Sequence, residues 1–251
     1  MFWGDITHGN QKAYFERARQ ASPMHFKRTR WDIVLQGLGD AAAYIRTRTV
    51  DGAAYHRIQD RISLALDQLD VPEYGNRPLV FIGHSLGCQI ISSYVWDTNR
   101  LKQNSPPEGE PDLIKLHDRL QVATPFRRLD TLAGIITLGS NIPLFTFAFD
   151  PRRVIPISRP RARGEQPAFP GSALPPEIAA RARWLNFFSP FDVLGFPLKP
   201  LNPSYDQTIL ADRAVLSGGL SFFHPIRAHE GYWRTRRVIT ETANLLGGLI
   251  D

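Results

Sequence analysis

Leu79-Val80-Phe81-Ile82-Gly83-His84-Ser85-Leu86-Gly87-Cys88 is the stretch that decides the fold. Leu79 to Ile82 is a continuous apolar run, the pattern of a short strand covered on both faces. From Leu86 to Trp96 the sequence turns helical and is apolar nearly all round, which predicts a buried helix. Between the two lies Gly83-His84-Ser85-Leu86-Gly87, a G-x-S-x-G motif. A serine on so tight a strand-to-helix turn has strained backbone angles. Side chains two residues to either side would collide there, so both flanking positions must be glycine or very small. The turn lifts the serine oxygen above the sheet edge. The helix that follows aims its first N–H groups and its positive dipole end at the same place.

Outward from this stretch, helical patterns alternate with short apolar runs. Trp31, Val34, Leu35, Leu38, Ala42 and Ile45 are spaced for one helix, and Tyr55, Ile58, Ile62, Leu66 and Leu69 for a second. Asn76 and Pro78 then punctuate the chain. Ile135 to Leu138 is the next strand candidate, ending at Gly139-Ser140, and Trp184 to Phe188 another. Phe2 to Ile6 reads as a further short strand, and Tyr232 to Ile250 as a C-terminal helix. Residues 100–130 are polar, with a weak helical patch from Leu113 to Leu120. Residues 146–180 carry Pro151, Pro156, Pro160, Pro167, Pro170, Pro175 and Pro176, which forbids a long regular element. These two stretches read as irregular excursions that could form a lid. The whole predicts one α/β domain over 1–251, a mostly parallel sheet flanked by helices.

Composition narrows the function classes. The chain has 251 residues, 43% hydrophobic and 22% charged, a globular balance that argues against wholesale disorder. The lone Cys88 excludes an intrachain disulfide framework and cysteine-rich zinc motifs, and makes a reducing compartment the default. No uncharged run approaches the roughly 18 apolar residues of a membrane span. Met1-Phe2-Trp3-Gly4-Asp5 lacks the basic start and apolar stretch of a secretory signal, so the expected location is cytoplasmic. The net charge of +6 permits peripheral contact with an anionic membrane. The basic residues are dispersed, however, and the densest group, Arg152, Arg153, Arg159, Arg161 and Arg163, reads as a solvated loop. No nucleic-acid partner is expected, and the oligomeric state is not legible.

A serine hydroxyl needs a base to become a nucleophile. In the order serine, acid, histidine, only His224 and His229 lie late enough to serve. His229 is favoured, because a loop entering the last helix can swing it over the turn. Among Asp192, Asp206, Asp212 and Glu230, Asp192 is favoured, since it follows the strand candidate ending at Phe188 and could hold an imidazole in one tautomer. The Leu86 N–H is the expected first donor to an oxyanion, with His8-Gly9 a candidate source of the second. Phe145 and Phe191 are candidates to line an apolar acyl pocket. Cys88 reads as a buried inert thiol and His84 as a packing or supporting residue. His25, His56 and His117 have no ligand types at metal spacing, so neither a metal nor another cofactor is expected. No G-x-x-x-x-G-K-[ST] phosphate loop is present.

Gly83-His84-Ser85-Leu86-Gly87, Gly139-Ser140, the block Asn186 to Leu198 and His229-Glu230-Gly231-Tyr232-Trp233 resemble the α/β-hydrolase superfamily, and within it the bacterial lipase- and esterase-like members. Gly39-Asp40-Ala41-Ala42-Ala43-Tyr44 also resembles a G-D-x-x-x-Y segment found in some of them. The resemblance spans roughly residues 31–96 and 132–240. It implies Ser85 as nucleophile, His229 as base and acid, and Asp192 as its orienter, acting on a small-molecule carboxylic ester, including lipid or other apolar acyl esters. Such proteins usually open with an apolar strand ending in a His-Gly oxyanion loop. Here Phe2 to Ile6 resembles a later aromatic-Asp segment, so the usual first strand is expected to be missing, or replaced by His8-Gly9. Two other outcomes stay open: a non-catalytic binding protein of the same fold, and an acyltransferase or a thioester- or amide-cleaving enzyme.

Overall fold

The structure is a computed structural model that describes residues 4–21, 25, 27, 31, 35, 37–44, 54–72, 77–103, 105, 111–146 and 168–250. The chain divides into two compact units, Met1–Leu69 with Pro106–Lys115, and Asp70–Ser105 with Leu116–Asp251.

The second unit is α/β. Its sheet has four parallel strands in the order β1 (Leu79–His84), β2 (Leu132–Leu138), β3 (Arg183–Phe188) and β4 (Ile209–Ala214). The predicted strands at 79–82, 135–138 and 184–188 are all present, each slightly longer than its apolar run. β2 is buried along its whole length, as a continuous apolar strand between helical layers should be. On one face Val238, Leu245 and Leu249 from the C-terminal helix Arg236–Gly247 and the turn after it pack on Ala133, Ile136, Leu138, Leu185 and Phe187. Gly134 makes that approach possible. A Cβ there would lie 3.0 Å from both the Leu245 Cδ2 and the Val80 methyls. The helix Leu86–Gln103 follows β1 directly and buries Leu86, Cys88, Ile90, Ile91, Tyr94, Val95 and Leu101, matching its all-round apolar sequence.

β4 has no counterpart in the sequence reading. It is an edge strand carrying Asp212 and Arg213, paired only to β3, and polar residues on an edge blur the alternation that marks a strand. Asp212 has a structural task instead. The Asn186 amide on β3 donates to Asp212 Oδ1 (2.7 Å) and to the Phe196 carbonyl (3.0 Å), while its oxygen accepts the Thr137 hydroxyl (2.8 Å). Asp212 in turn accepts the backbone N–H groups of Leu198 (3.0 Å) and Lys199 (2.9 Å). Three strands are thereby tied to both ends of the segment Phe196–Lys199.

The first unit corrects one expectation. Asp5–Ala21 is helical, so Ile6 is not in a strand, and Phe2 and Trp3 lie outside the described residues. Within that unit Arg61 pairs with both Asp5 oxygens, and Asp40 accepts from Thr7 and Gln11 (2.6 Å each). The predicted second helix is Ala54–Leu69. Of the helix expected over Trp31 to Ile45, Gly39–Ala43 is α-helical, while Val34 and Ile45 lie outside the described residues. The weak patch near Leu113 is the helix Pro111–Gln121. Most of the proline-rich stretch, including the arginine group at 152–163, lies outside the described residues. Among those described, no helix is long and apolar enough to cross a membrane.

Replacing Asp212 by Ala leaves two backbone donors and the Asn186 amide without their acceptor. The variant should lose about 2–3 kcal/mol of unfolding free energy, measured by urea denaturation followed by circular dichroism.

Candidate active site

Ser85 stands between the end of β1 and the helix Leu86–Gln103, with φ of +54°. A non-glycine residue in the left-handed region is strained, and strain of this kind persists only where the surroundings over-determine it. Here the Ser85 N–H donates to the Leu138 carbonyl (3.0 Å) and the Ser85 carbonyl accepts the Cys88 N–H (2.9 Å). Gly83 meets the steric requirement read from the motif. A Cβ there would sit 2.8 Å from Ile91 Cδ1 and 3.0 Å from Cys88 N. Leu86 is the first helical residue, so its N–H has no intrahelical acceptor.

His229 and Asp192, 37 residues apart in sequence, are brought together. His229 Nδ1 lies 3.0 and 2.9 Å from the two Asp192 oxygens. A carboxylate only accepts, so Nδ1 carries the hydrogen. Two further donors fix the carboxylate. The Tyr232 hydroxyl donates to Oδ2 (2.7 Å) and the Leu194 N–H to Oδ1 (2.9 Å). Asp192 is 5% exposed. Burial alone would raise its pKa, but the hydrogen bond and charge of His229, with Tyr232 and Leu194, hold the carboxyl below its ordinary value. Burial, joined by the neighbouring carboxylate, pushes the Tyr232 phenol up, so it stays a donor. Its oxygen also accepts the Ser189 N–H (2.8 Å), which fixes the start of the acid loop.

Two glycines make room for this pair. At Gly139, where φ is +55°, a Cβ would lie 2.8 Å from Asp192 Oδ2 and Tyr232 Cε2 and 3.2 Å from His229 Nδ1. At Gly195 it would lie 2.4 Å from the same carboxylate oxygen. The acid loop is further held to β2 by the Phe196 N–H on the Ser140 carbonyl (2.9 Å).

His84, next to Ser85, connects the turn to the histidine. Its Nε2 donates to the His229 carbonyl (2.7 Å), and the two rings are tilted by 36° with centroids 4.8 Å apart. Burial, then the like charge of His229, lowers the His84 pKa. Ser85 and His229 are thus joined through His84, and among the described residues no hydrogen bond links Ser85 Oγ to His229 directly. His229 itself lies on the short helix Pro225–Glu230 rather than on the expected loop. His224 precedes that helix and has no contact with Asp192 among the described residues. Of the competing acids, Asp212 holds backbone N–H groups and Asp206 pairs with Lys199.

His8 and Gly9 sit inside the helix Asp5–Ala21, where the His8 N–H already donates to the Gly4 carbonyl, so this is no oxyanion loop. Phe191 is 38% exposed and meets Phe222 edge-on at 5.2 Å. Phe145 is half-buried on the helix Ile142–Thr146, without a ring contact to Phe191 among the described residues. Burial pushes the Cys88 thiol up to about 12, the behaviour of an unreactive core cysteine. Tyr232, Leu194 and Gly195 carry the carboxylate's surroundings and were not singled out as site residues. All three nonetheless lie within the two blocks, Asn186 to Leu198 and His229 to Trp233, that point to Asp192 and His229.

No protein-family model matches the sequence, and comparisons with curated proteins and with solved structures yield no match.

Gly139→Ala combines a left-handed φ with a clash against Asp192 and Tyr232. It should cost about 2–4 kcal/mol of stability and shift the His229 imidazole resonances. A second expectation concerns pH. The depressed His84 pKa favours the folded state fully above its ordinary value of 6.5, and that contribution fades as pH falls below it. The melting temperature should therefore drop between pH 7.5 and pH 5, and His84→Gln should flatten the drop.

Proposed function

We propose that the protein is a serine hydrolase of carboxylic esters, built on an α/β-hydrolase fold. The observation that carries this reading is the buried Asp192 carboxylate on His229 Nδ1, with His229 tied through His84 to a serine on a strained strand–helix turn. The parallel sheet, with the serine after β1, the acid after β3 and the histidine after β4, supports it in the chain order serine, acid, histidine.

On this reading, ester binding brings His229 Nε2 within reach of Ser85. The imidazole takes the hydroxyl proton as the serine oxygen attacks the carbonyl carbon. Asp192 stabilises the imidazolium that forms. The Leu86 N–H donates to the oxyanion of the tetrahedral intermediate. Collapse expels the alcohol, which takes the proton from His229 and leaves an acyl-serine. Water then attacks that ester with His229 again as base, releasing the acid and restoring Ser85. The reaction needs no cofactor.

Treatment of the purified protein with a fluorophosphonate probe tests this directly. The wild type should be labelled on the Ser85 peptide, Ser85→Ala should not be labelled at all, and His229→Ala should be labelled far more slowly. Asp192→Asn should lower p-nitrophenyl acetate turnover on the order of 10³–10⁴-fold, because the imidazole loses its orienting acceptor. A folded wild type that takes no label refutes the proposal.

A further inference from the structure

Asn141 is a buried polar residue with nothing to do in the chemistry above. It follows Gly139 and Ser140 on the turn out of β2, and its carbonyl accepts the Leu144 N–H (3.0 Å) at the start of the helix Ile142–Thr146. An asparagine in such a capping position ordinarily turns its side-chain oxygen onto an N–H of the first helical turn. This one does not. The Ile142 N–H goes to Ser140 Oγ (3.4 Å), and Asn141 Oδ1 is buried without a hydrogen-bond partner. The residue is only 8% exposed. A buried amide oxygen left unpaired bears its full desolvation cost, which makes it an uncommon feature that calls for a cause.

Its neighbours supply one. Leu138, just ahead of this turn, accepts the Ser85 N–H, and Gly139 faces Asp192 and His229. The Ser140 carbonyl accepts the Phe196 N–H of the acid loop, and the Cys88 thiol in the first turn of the helix after Ser85 donates to the Leu138 carbonyl (3.6 Å). The same end of the sheet therefore carries the nucleophile, the base, the acid and an unsatisfied acceptor. The carboxyl ends of parallel strands are where ligands bind in open α/β sheets. Half-buried Phe145 lies four residues on, in the short helix that starts at Ile142.

We propose that Asn141 is a specificity-determining residue whose carboxamide oxygen accepts a hydrogen bond from a hydroxyl on the acyl part of the ester. This rests on the hydrolase reading. The orphan atom is an acceptor, so its missing partner is a donor. A plain alkyl chain would leave it unpaired, and a hydroxylated acyl group would not. The substrate class is thus hydroxyacyl esters rather than simple fatty esters.

The test compares p-nitrophenyl lactate and p-nitrophenyl β-hydroxybutyrate with their unsubstituted counterparts, in the wild type and in Asn141→Leu. Melting temperature and fluorophosphonate labelling are measured on both proteins. The wild type should favour the hydroxylated esters by at least about tenfold in kcat/KM, mainly through KM. The variant should lose that preference, hydrolyse the unsubstituted esters within about twofold of the wild type, and melt no lower. A wild type without the preference, a variant that keeps it, or a variant that melts several degrees lower would each overturn the proposal. Labelling separates the two levels of failure. If Ser85 is not labelled in the wild type, the hydrolase reading fails and takes this inference with it. If it is labelled while the preference is absent or unmoved, the inference alone fails.

Discussion

The structure of the site depends on keeping one carboxylate charged while it is buried. Asp192 has lost nearly all contact with water, and a lone carboxylate so placed would take up a proton. It stays ionised because three donors from two segments of the chain converge on it: the His229 imidazole and the Tyr232 hydroxyl from one, and the Leu194 N–H from the carboxylate's own loop. Each needs its own support. Tyr232 sits between the carboxylate and the Ser189 N–H. Glycine at 139 and 195 gives the oxygens their space. The ladder of Thr137, Asn186 and Asp212 holds the far end of the loop on the sheet. Much of the packing at the carboxyl end of β2 and β3 can be read as the means of meeting this electrostatic demand.

The parts legible in the sequence are those that short-range physics dictates. Gly83-His84-Ser85-Leu86-Gly87 announces its turn because the backbone there admits few residue types, and the strained φ of Ser85 bears this out. The apolar runs of β1, β2 and β3 announce themselves because both faces are buried. Asp192 and His229 could be picked out by chain order, and the structure brings that pair into contact. β4 stayed hidden because its edge position allows Asp212 and Arg213 inside a strand. The helix Asp5–Ala21 stayed hidden because Phe2-Trp3 and Ile6 look like a strand until the polar residues that follow are given helical phase. Tyr232 could be read only as an apolar residue in a helical tail, since its hydrogen bond to Asp192 spans 40 residues of sequence. Asn141 gave no signal at all, because an unsatisfied amide is visible only once its surroundings are known.

The site also shows where local stability is given up. A serine with positive φ, two histidine rings in contact of which one has a depressed pKa, and one of the buried polar atoms without a partner, Asn141 Oδ1, all lie at one end of the sheet. Concentrated strain of this kind is the pattern expected where binding or chemistry competes with folding. The arrangement of His84 gives it a second consequence. By donating to the His229 carbonyl it fixes that histidine to the same turn that carries Ser85. Small movements of that turn and of the histidine are therefore coupled.

The most direct test is proton NMR of the His229 Nδ1–H in the wild type, before and after Ser85 reacts with a fluorophosphonate. A hydrogen held between imidazole and carboxylate should resonate far downfield, disappear in Asp192→Asn, and move when the adduct forms on Ser85. Absence of such a resonance, or a resonance indifferent to modification of Ser85, would contradict the linkage of the three residues.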